Sequence, residues 1–240
     1  MHLGIDLGGT KTEIIALNSD NAGELFRRRI PSPKDDYAAI LDVIADLVEQ
    51  AEHSTGYRGT VGIGIPGVIS RIHGTVMNAN ARCLNGRALD RDVQDRLGRE
   101  VRIDNDANCF AVSEATDGAA KDCHVVLGVI VGTGCGAGIV INGQCLRGRN
   151  GIGGEWGHNP LPYPVTVPVD QDALYAHFDN DGDPDALISD VYAGKDRPAC
   201  FAPDVISAEH PGPQCYCGKR GCLETWISGP ALAADYARIT

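Results

Sequence analysis

The sequence predicts an α/β protein made of two similar domains, and three observations carry that prediction. The chain opens MHLGIDLGGTKTEIIALN, two apolar runs around a glycine turn. The same plan returns near residue 125 as VVLGVIVGTGCGAGIVING. Between the two, strand patterns and helix patterns alternate. A repeated supersecondary unit reads as internal duplication, with a cleft expected between the paired glycine hairpins. The expected domains are 1–105 and 106–240, the second incomplete because it lacks counterparts of the later strands and helices of the first.

Taken in order, residues 3–7 alternate, GGTKT turns, and 12–17 returns the chain, so the first unit is a hairpin. ELFRRRI is a third apolar segment, ended by Pro31 and Pro33. DDYAAILDVIADLVEQAEH sets Tyr37, Ile40, Leu41, Ile44, Leu47, Val48 and Ala51 on one helical face, with Asp35 or Asp36 as cap. TVGIGIP is a buried strand and ALDRDVQDRLG a short helix lined by Leu89, Val93 and Leu97. EVRID is another strand, and NDANCFAVSEATDG opens another helix. After the second hairpin come an irregular stretch from about 160 to 214, a cysteine cluster, and a helix at GPALAADYARI with Pro230 in its first turn.

Composition narrows the function classes. The 240 residues carry a net charge of −11, which argues against a nucleic-acid surface. Hydrophobic content is 43% without a long apolar run, so no membrane span is expected. Strand pattern begins by Leu3, leaving no room for a secretory leader. With nine cysteines, an odd number, the expectation is reduced thiols in the cytoplasm rather than a disulfide framework.

The glycine loops have well-known imitators. GIDLGGTKT misses the phosphate-binding P-loop spacing by one residue. GIGIPG matches the dinucleotide pattern literally, but VISRIHGTVMNAN after it lacks a helical period. GTGCGAG is followed by IVI, a strand. Each loop alone reads as a tight turn. Two such turns, each with glycines and a threonine whose backbone N–H groups can face an anion, together suit a polyphosphate.

Asn105-Asp106 stands where a strand ends and a helix starts. An N-cap explains such residues without chemistry, while the position at a strand's carboxyl end favours a functional carboxylate. C-x-C-x4-C (Cys215, Cys217, Cys222) offers three soft ligands to a tetrahedral zinc. For the fourth ligand, proximity favours His210, with His158 far off in sequence. Asp179, Asp181 and Asp183 alternate as in a calcium loop, but Pro184 stands where that loop needs glycine, so a solvated acidic loop is expected.

MHLGIDLGGTKTEIIAL, GIPG, NDANCFAVSE, GTGCGAG, GGEWGHNPLP and CYCGKRGCLETWISG together resemble the ROK family of sugar kinases, most of all its bacterial fructokinase (mannokinase-type) branch. The resemblance covers nearly all of 1–162 and 213–240. It implies an actin-like, hexokinase-type fold with ATP and Mg²⁺ in the cleft. Gly4, Asp6, Gly8, Gly9, Thr10 and Lys11 match the first phosphate motif; Thr133, Gly134 and Gly136 match the second. Asp106 matches the catalytic base, and Gly67, Asn80, Asn105, Glu155, His158 and Glu224 match sugar-binding positions. Read without the family, Glu155 and Glu224 are exposed loop charges. The resemblance selects His158 to close a structural Cys₃His zinc site. The implied reaction is ATP-dependent phosphorylation of a hexose, fructose to fructose 6-phosphate, in an enzyme compatible with a homodimer. The competing reading is a truncated sugar-binding or regulatory member of the family. Two departures stand out: Arg82-Cys83 precedes LNG where the branch carries an aromatic, and family members continue past residue 240 into the adenine side of the nucleotide site.

Overall fold

The computed structural model describes residues 1–162, 166–168, 205–207 and 212–239. The expected first hairpin is β1 (His2–Leu7) with β2 (Lys11–Leu17), antiparallel from His2↔Leu17 to Leu7↔Thr12. β3 (Glu24–Pro31) pairs with the outer side of β2. Helix α1 (Tyr37–Thr55) then leads to β4 (Thr60–Ile65), which runs parallel to β1. GIPG is followed by a small hairpin, β5 (Val68–Ile69) and β6 (Val76–Met77), and not by a helix. A 3-10 turn at Arg82–Leu84 and α2 (Leu89–Leu97) precede β7 (Val101–Asn105) and α3 (Asp106–Thr116). The five-stranded sheet has the order β3-β2-β1-β4-β7.

Local chemistry accounts for α1. Asp36, not Asp35, caps it by accepting from the Ala39 N–H, and Gly56 ends it at φ 73°, a left-handed conformation that costs glycine little. Ile40, Ile44, Leu47, Val48 and Ala51 are buried on one side. They meet Leu3, Ile5, Leu7, Ile14, Ala16, Val61, Ile63 and Ile65 in one core. Alternation along β1, β2 and β4 puts all of those strand residues on a single face. Burying each Leu or Ile there contributes about 1.5–3 kcal/mol. Thr12 occupies the same buried row of β2, the one polar member among its neighbours Ile14 and Ala16.

The second hairpin is β8 (Val125–Val131) and β9 (Cys135–Ile141), extended by β10 (Gln144–Cys145) in the order β10-β9-β8. β11 (Thr166–Pro168) and β12 (Val205–Ser207) pair antiparallel within the stretch expected to be irregular. That pairing left no periodic signal in the sequence. The cysteine cluster leads into α4 (Glu224–Ile227) and α5 (Gly229–Ile239). Asp179, Asp181, Asp183 and His210 lie outside the described residues. By its internal contacts the chain forms two compact units, Met1–Val129 with Ala137–Glu155, and Ile130–Gly136 with Trp156–Thr240.

Two glycines of the second hairpin have a packing role. A Cβ at Gly128 would lie 2.8 Å from the Ala111 Cβ, and one at Gly138 would lie 2.5 Å from the Ala107 oxygen and 2.9 Å from the Asn108 Cα. Their bare backbones let α3 lie against β8 and β9. Gly138→Ala is therefore expected to lower unfolding stability by about 1–3 kcal/mol, because rigid backbone atoms must yield. A urea titration measures this; an unchanged midpoint would contradict the close approach. The other row of β8 is open: Val125 and Leu127 are 65% and 63% exposed, whereas Leu3 and Ile5 of β1 are 2% and 3% exposed beneath α1.

Candidate active site

The turn between β1 and β2 is tight. Gly8 N–H donates to the Lys11 carbonyl at 3.0 Å, and a Cβ on Gly8 would approach that oxygen to 2.7 Å. Gly9, Thr10 and Lys11 are exposed. Gly4 lies within β1, paired with Ile15 and Gly62, rather than in the turn. Asp6 follows on the same face, opposite Gly64 of β4. A Cβ at Gly64 would meet the Asp106 Cα at 3.5 Å, so the first residue of α3 rests over β4 next to the strand that carries Asp6.

The structure separates two roles that the sequence left open at Asn105 and Asp106. Asn105 is the cap: its Oδ1 accepts from the Asn108 N–H at 3.2 Å. Its Nδ2 donates to the Gly67 carbonyl, also at 3.2 Å. Asp106 is the first helical residue and accepts from the Ala107 N–H at 2.8 Å. Burial pushes the Asp106 carboxyl above the ordinary aspartate range; the Ala107 bond works against this and the nearby Asp6 charge adds to it. Asp6 is raised as well, by loss of water around its carboxyl and by Glu13, with Arg29 opposing. Glu13 is held low by hydrogen bonding to Arg27, with Arg29 assisting.

Gly67 has no room for a side chain: a Cβ would lie 2.9 Å from the Met77 oxygen and 3.0 Å from the Ala79 Cα. The adjacent Asn80 is exposed, its Oδ1 3.6 Å from where a Gly9 Cβ would be. Asn85 fixes this loop by bonding both backbone groups of Ala79, at 2.9 and 2.8 Å. Sequence reasoning passed over Asn85; an Asn-Gly pair closing a loop was the available signal. One unit thus brings together Asp6, Gly9, Gly67, Asn80, Asn105 and Asp106, and Glu155 is exposed within it.

The second unit holds the other turn. Between β8 and β9, Gly132 N–H donates to the Gly134 carbonyl at 2.9 Å, Thr133 is exposed at the tip, and Gly136 is already in β9. Glu224 is not the exposed loop charge that its residue type suggests. It is 8% exposed, and its Oε2 accepts from the Cys135 N–H at 2.9 Å. A Cβ on Gly134 would come within 2.6 Å of that oxygen. Gly229, the first residue of α5, donates to Gly132 at 2.8 Å and closes the arrangement.

His158, Cys215, Cys217 and Cys222 converge, with all ligand atoms within 4.8 Å of one another. His158 Nδ1 is 3.5 Å from Cys215 Sγ, and Cys217 Sγ is 3.6 Å from Cys222 Sγ. A tetrahedral zinc with ordinary Zn–S and Zn–N bonds needs edges of about 3.8 Å between sulfurs and about 3.6 Å between sulfur and nitrogen. The donor set and spacing fit that ion. Backbone bonds stitch the histidine loop to the cysteine loop: Glu224 N–H to Gly157 and Leu223 N–H to Asn159, both at 2.9 Å. Burial raises the Cys215 and Cys222 thiols, Cys222 to about 12; burial also opposes ionisation of Cys217, but the Lys219 backbone donor and the neighbouring thiols bring it net down. The other His158 nitrogen, Nε2, lies 3.0 Å from the Tyr216 hydroxyl, with the rings edge to face. Tyr216 was not singled out by the sequence, where it reads as a spacer between cysteines.

Known proteins resemble this chain. The ROK family model matches residues 2–239. An N-acetyl-D-glucosamine kinase of Yersinia pestis is 39% identical over 237 residues, covering 99% of this chain and 78% of its own length. One from Erwinia tasmaniensis is 42% identical, covering 95% of this chain and 63% of its own. Among solved structures, a ROK glucokinase of Streptomyces griseus, crystallised with glucose and AMPPNP, has a TM-score of 0.66 at 26% identity, over 97% of this chain and 59% of that one. A ROK hexokinase of Thermus thermophilus has a TM-score of 0.62 at 28% identity, over 98% of this chain and 63% of that one. This chain therefore spans about two thirds of the length of several such relatives. No helix among the described residues is long and apolar enough to cross a membrane.

These relatives overturn the fructokinase branch and the fructose substrate expected from the motifs. The physical reason is that the quoted motifs build glycine turns, a strand-end carboxylate and a His/Cys cluster. Such parts carry little information about the substituent on a sugar ring. The fold is the expected one, an actin-like, hexokinase-type architecture of two α/β lobes. Its first sheet, its paired glycine turns, its strand-end carboxylates and its family match over residues 2–239 agree: this chain belongs to the ROK family.

Proposed function

We propose that this chain phosphorylates N-acetyl-D-glucosamine at the expense of ATP. The observation that supports this most directly is identity of 39% to N-acetyl-D-glucosamine kinases over 237 residues, a span that includes both glycine turns and Asp106. In this reading a sugar hydroxyl attacks the γ-phosphorus, the bond to the β-phosphate oxygen breaks, and the hydroxyl proton passes to Asp106. Its raised proton affinity suits a general base, since the proton is held better than by an ordinary aspartate. Gly8, Gly9, Thr10 and Lys11 in one turn, and Thr133, Gly134 and Gly136 around the other, supply backbone donors and one ammonium to phosphate oxygens. Mg²⁺, when bound, would supply charge neutralisation for the transferring phosphoryl group, and Asp6 is the carboxylate that would hold it or its water. Asn80, Asn105, the Gly67 backbone, Glu155, His158 and Glu224 are assigned to the sugar. Zinc at His158, Cys215, Cys217 and Cys222 fixes two of those sugar residues, His158 and Glu224.

An ADP-release assay over N-acetyl-D-glucosamine, N-acetyl-D-mannosamine, glucose, mannose and fructose tests the reading. The highest kcat/KM is expected with N-acetyl-D-glucosamine. A higher value with any other sugar overturns the substrate, and no turnover with any sugar overturns the activity. Light scattering at twice the chain mass is the result expected if the family's dimer carries over.

A further inference from the structure

Thr12 is fully buried among apolar side chains, and its hydroxyl must be answered there. The answering group is Ser32, just past β3 and itself buried, at 2.8 Å between the two oxygens. Ser32 Oγ is also 2.6 Å from the Gly8 carbonyl oxygen. A carbonyl only accepts, so the Ser32 hydroxyl donates to Gly8, and its own oxygen is left to accept from Thr12. The three groups form a chain with one direction, Thr12 to Ser32 to Gly8. Ser32 grips the turn a second time, its N–H donating to the Thr10 carbonyl at 3.0 Å.

This chain ends on the peptide unit whose orientation matters most. In a planar trans peptide, C=O and the following N–H point to opposite sides. Anchoring the Gly8 oxygen toward Ser32 therefore aims the Gly9 N–H away from Ser32. Gly8 and Gly9 flank this peptide, so side-chain sterics hardly restrain its rotation. Turned over, it would present an oxygen where an anion should meet a hydrogen. We infer that Ser32, backed by Thr12, is a positioning residue of the first turn, fixing the peptide polarity that presents Gly9 N–H to a nucleotide phosphate. The inference rests on reading Gly8-Gly9-Thr10 as a phosphate turn.

Calorimetric titration with AMPPNP and steady-state kinetics on wild type, Ser32→Ala, Ser32→Thr and Thr12→Val test it. Ser32→Ala is expected to weaken AMPPNP binding and to raise KM for ATP by about tenfold, the scale of one well-aligned hydrogen bond. KM for the sugar should be unchanged. Ser32→Thr keeps the donor and should recover most of the affinity; Thr12→Val should fall between. Wild type that binds AMPPNP, with Ser32→Ala binding equally well, overturns the inference alone. So does a loss in Ser32→Ala that raises both KM values together. Should Ser32→Ala not fold, Thr12→Val decides, and unaltered AMPPNP affinity in it overturns the inference. Wild type that binds no AMPPNP overturns the phosphate-turn reading first.

Discussion

Asp106→Asn is expected to lower kcat by about 10²–10⁴-fold, the usual contribution of a positioned general base. KM for the sugar should change little, because asparagine keeps an oxygen to accept from the Ala107 N–H. The same substitution is expected to stabilise the fold at neutral pH. A helix N-terminus favours an anion by about 0.3–1 kcal/mol, yet the Asp106 carboxyl is raised, so burial with the Asp6 charge outweighs that attraction. A carboxyl with a folded pKa above its unfolded one holds its proton more tightly when folded. Stability therefore falls as pH rises from about 3.8, the unfolded value, through the folded one. Asparagine has no such loss, so its Tm should exceed wild type at pH 7 and show no such gain at pH 3. In wild type the acid limb of kcat against pH should lie above 3.8, since the base must be ionised. Wild-type kcat in the variant would remove Asp106 from the chemistry. A Tm at pH 7 that does not rise would contradict the buried-charge account alone.

Much of this fold was legible because it rests on local periodicity. Strand alternation in 3–7 and 12–17 and the apolar face from Ile40 to Ala51 are one-dimensional signals, and β1, β2 and α1 follow them. The paired glycine turns were legible for the same reason. What lay hidden depends on contacts across the chain. Ser32 is 24 residues from Gly8, and nothing in PSP announces that its hydroxyl reaches a turn. Glu224 reads as a loop charge until the Cys135 N–H, 89 residues away, is found on it. Asn105 and Asp106 could not be told apart in sequence, because cap and first-turn positions accept both residue types. That Gly128 and Gly138 admit α3 was equally hidden, because the contacts are with a helix earlier in the chain. Sugar identity was least legible of all: no motif in the chain specifies a ring substituent, and the relatives corrected the fructose expectation.

Removing the metal is expected to cost more than any single side chain outside the base. The purified chain should carry one zinc per molecule, and Cys222→Ser or a chelator should abolish sugar-dependent thermal stabilisation. Binding at a four-ligand site can contribute on the order of 10 kcal/mol to local folding. That exceeds what the backbone bonds from Leu223 and Glu224 to the histidine loop supply, at about 1 kcal/mol each. Loss of the knuckle is also expected to release Glu224 from the Cys135 N–H, which would take from the second turn its buttress. The first turn, in the other unit, has its own anchors at Ser32 and Lys11. Zinc retention should weaken as pH falls, since the raised Cys215 and Cys222 thiols must give up protons to bind. Elemental analysis with thermal shift at several pH values checks both points. A chain free of zinc as isolated, or a Cys222→Ser variant with undiminished sugar response, would show that the cluster packs as thiols and that Glu224 and His158 hold their places without a metal.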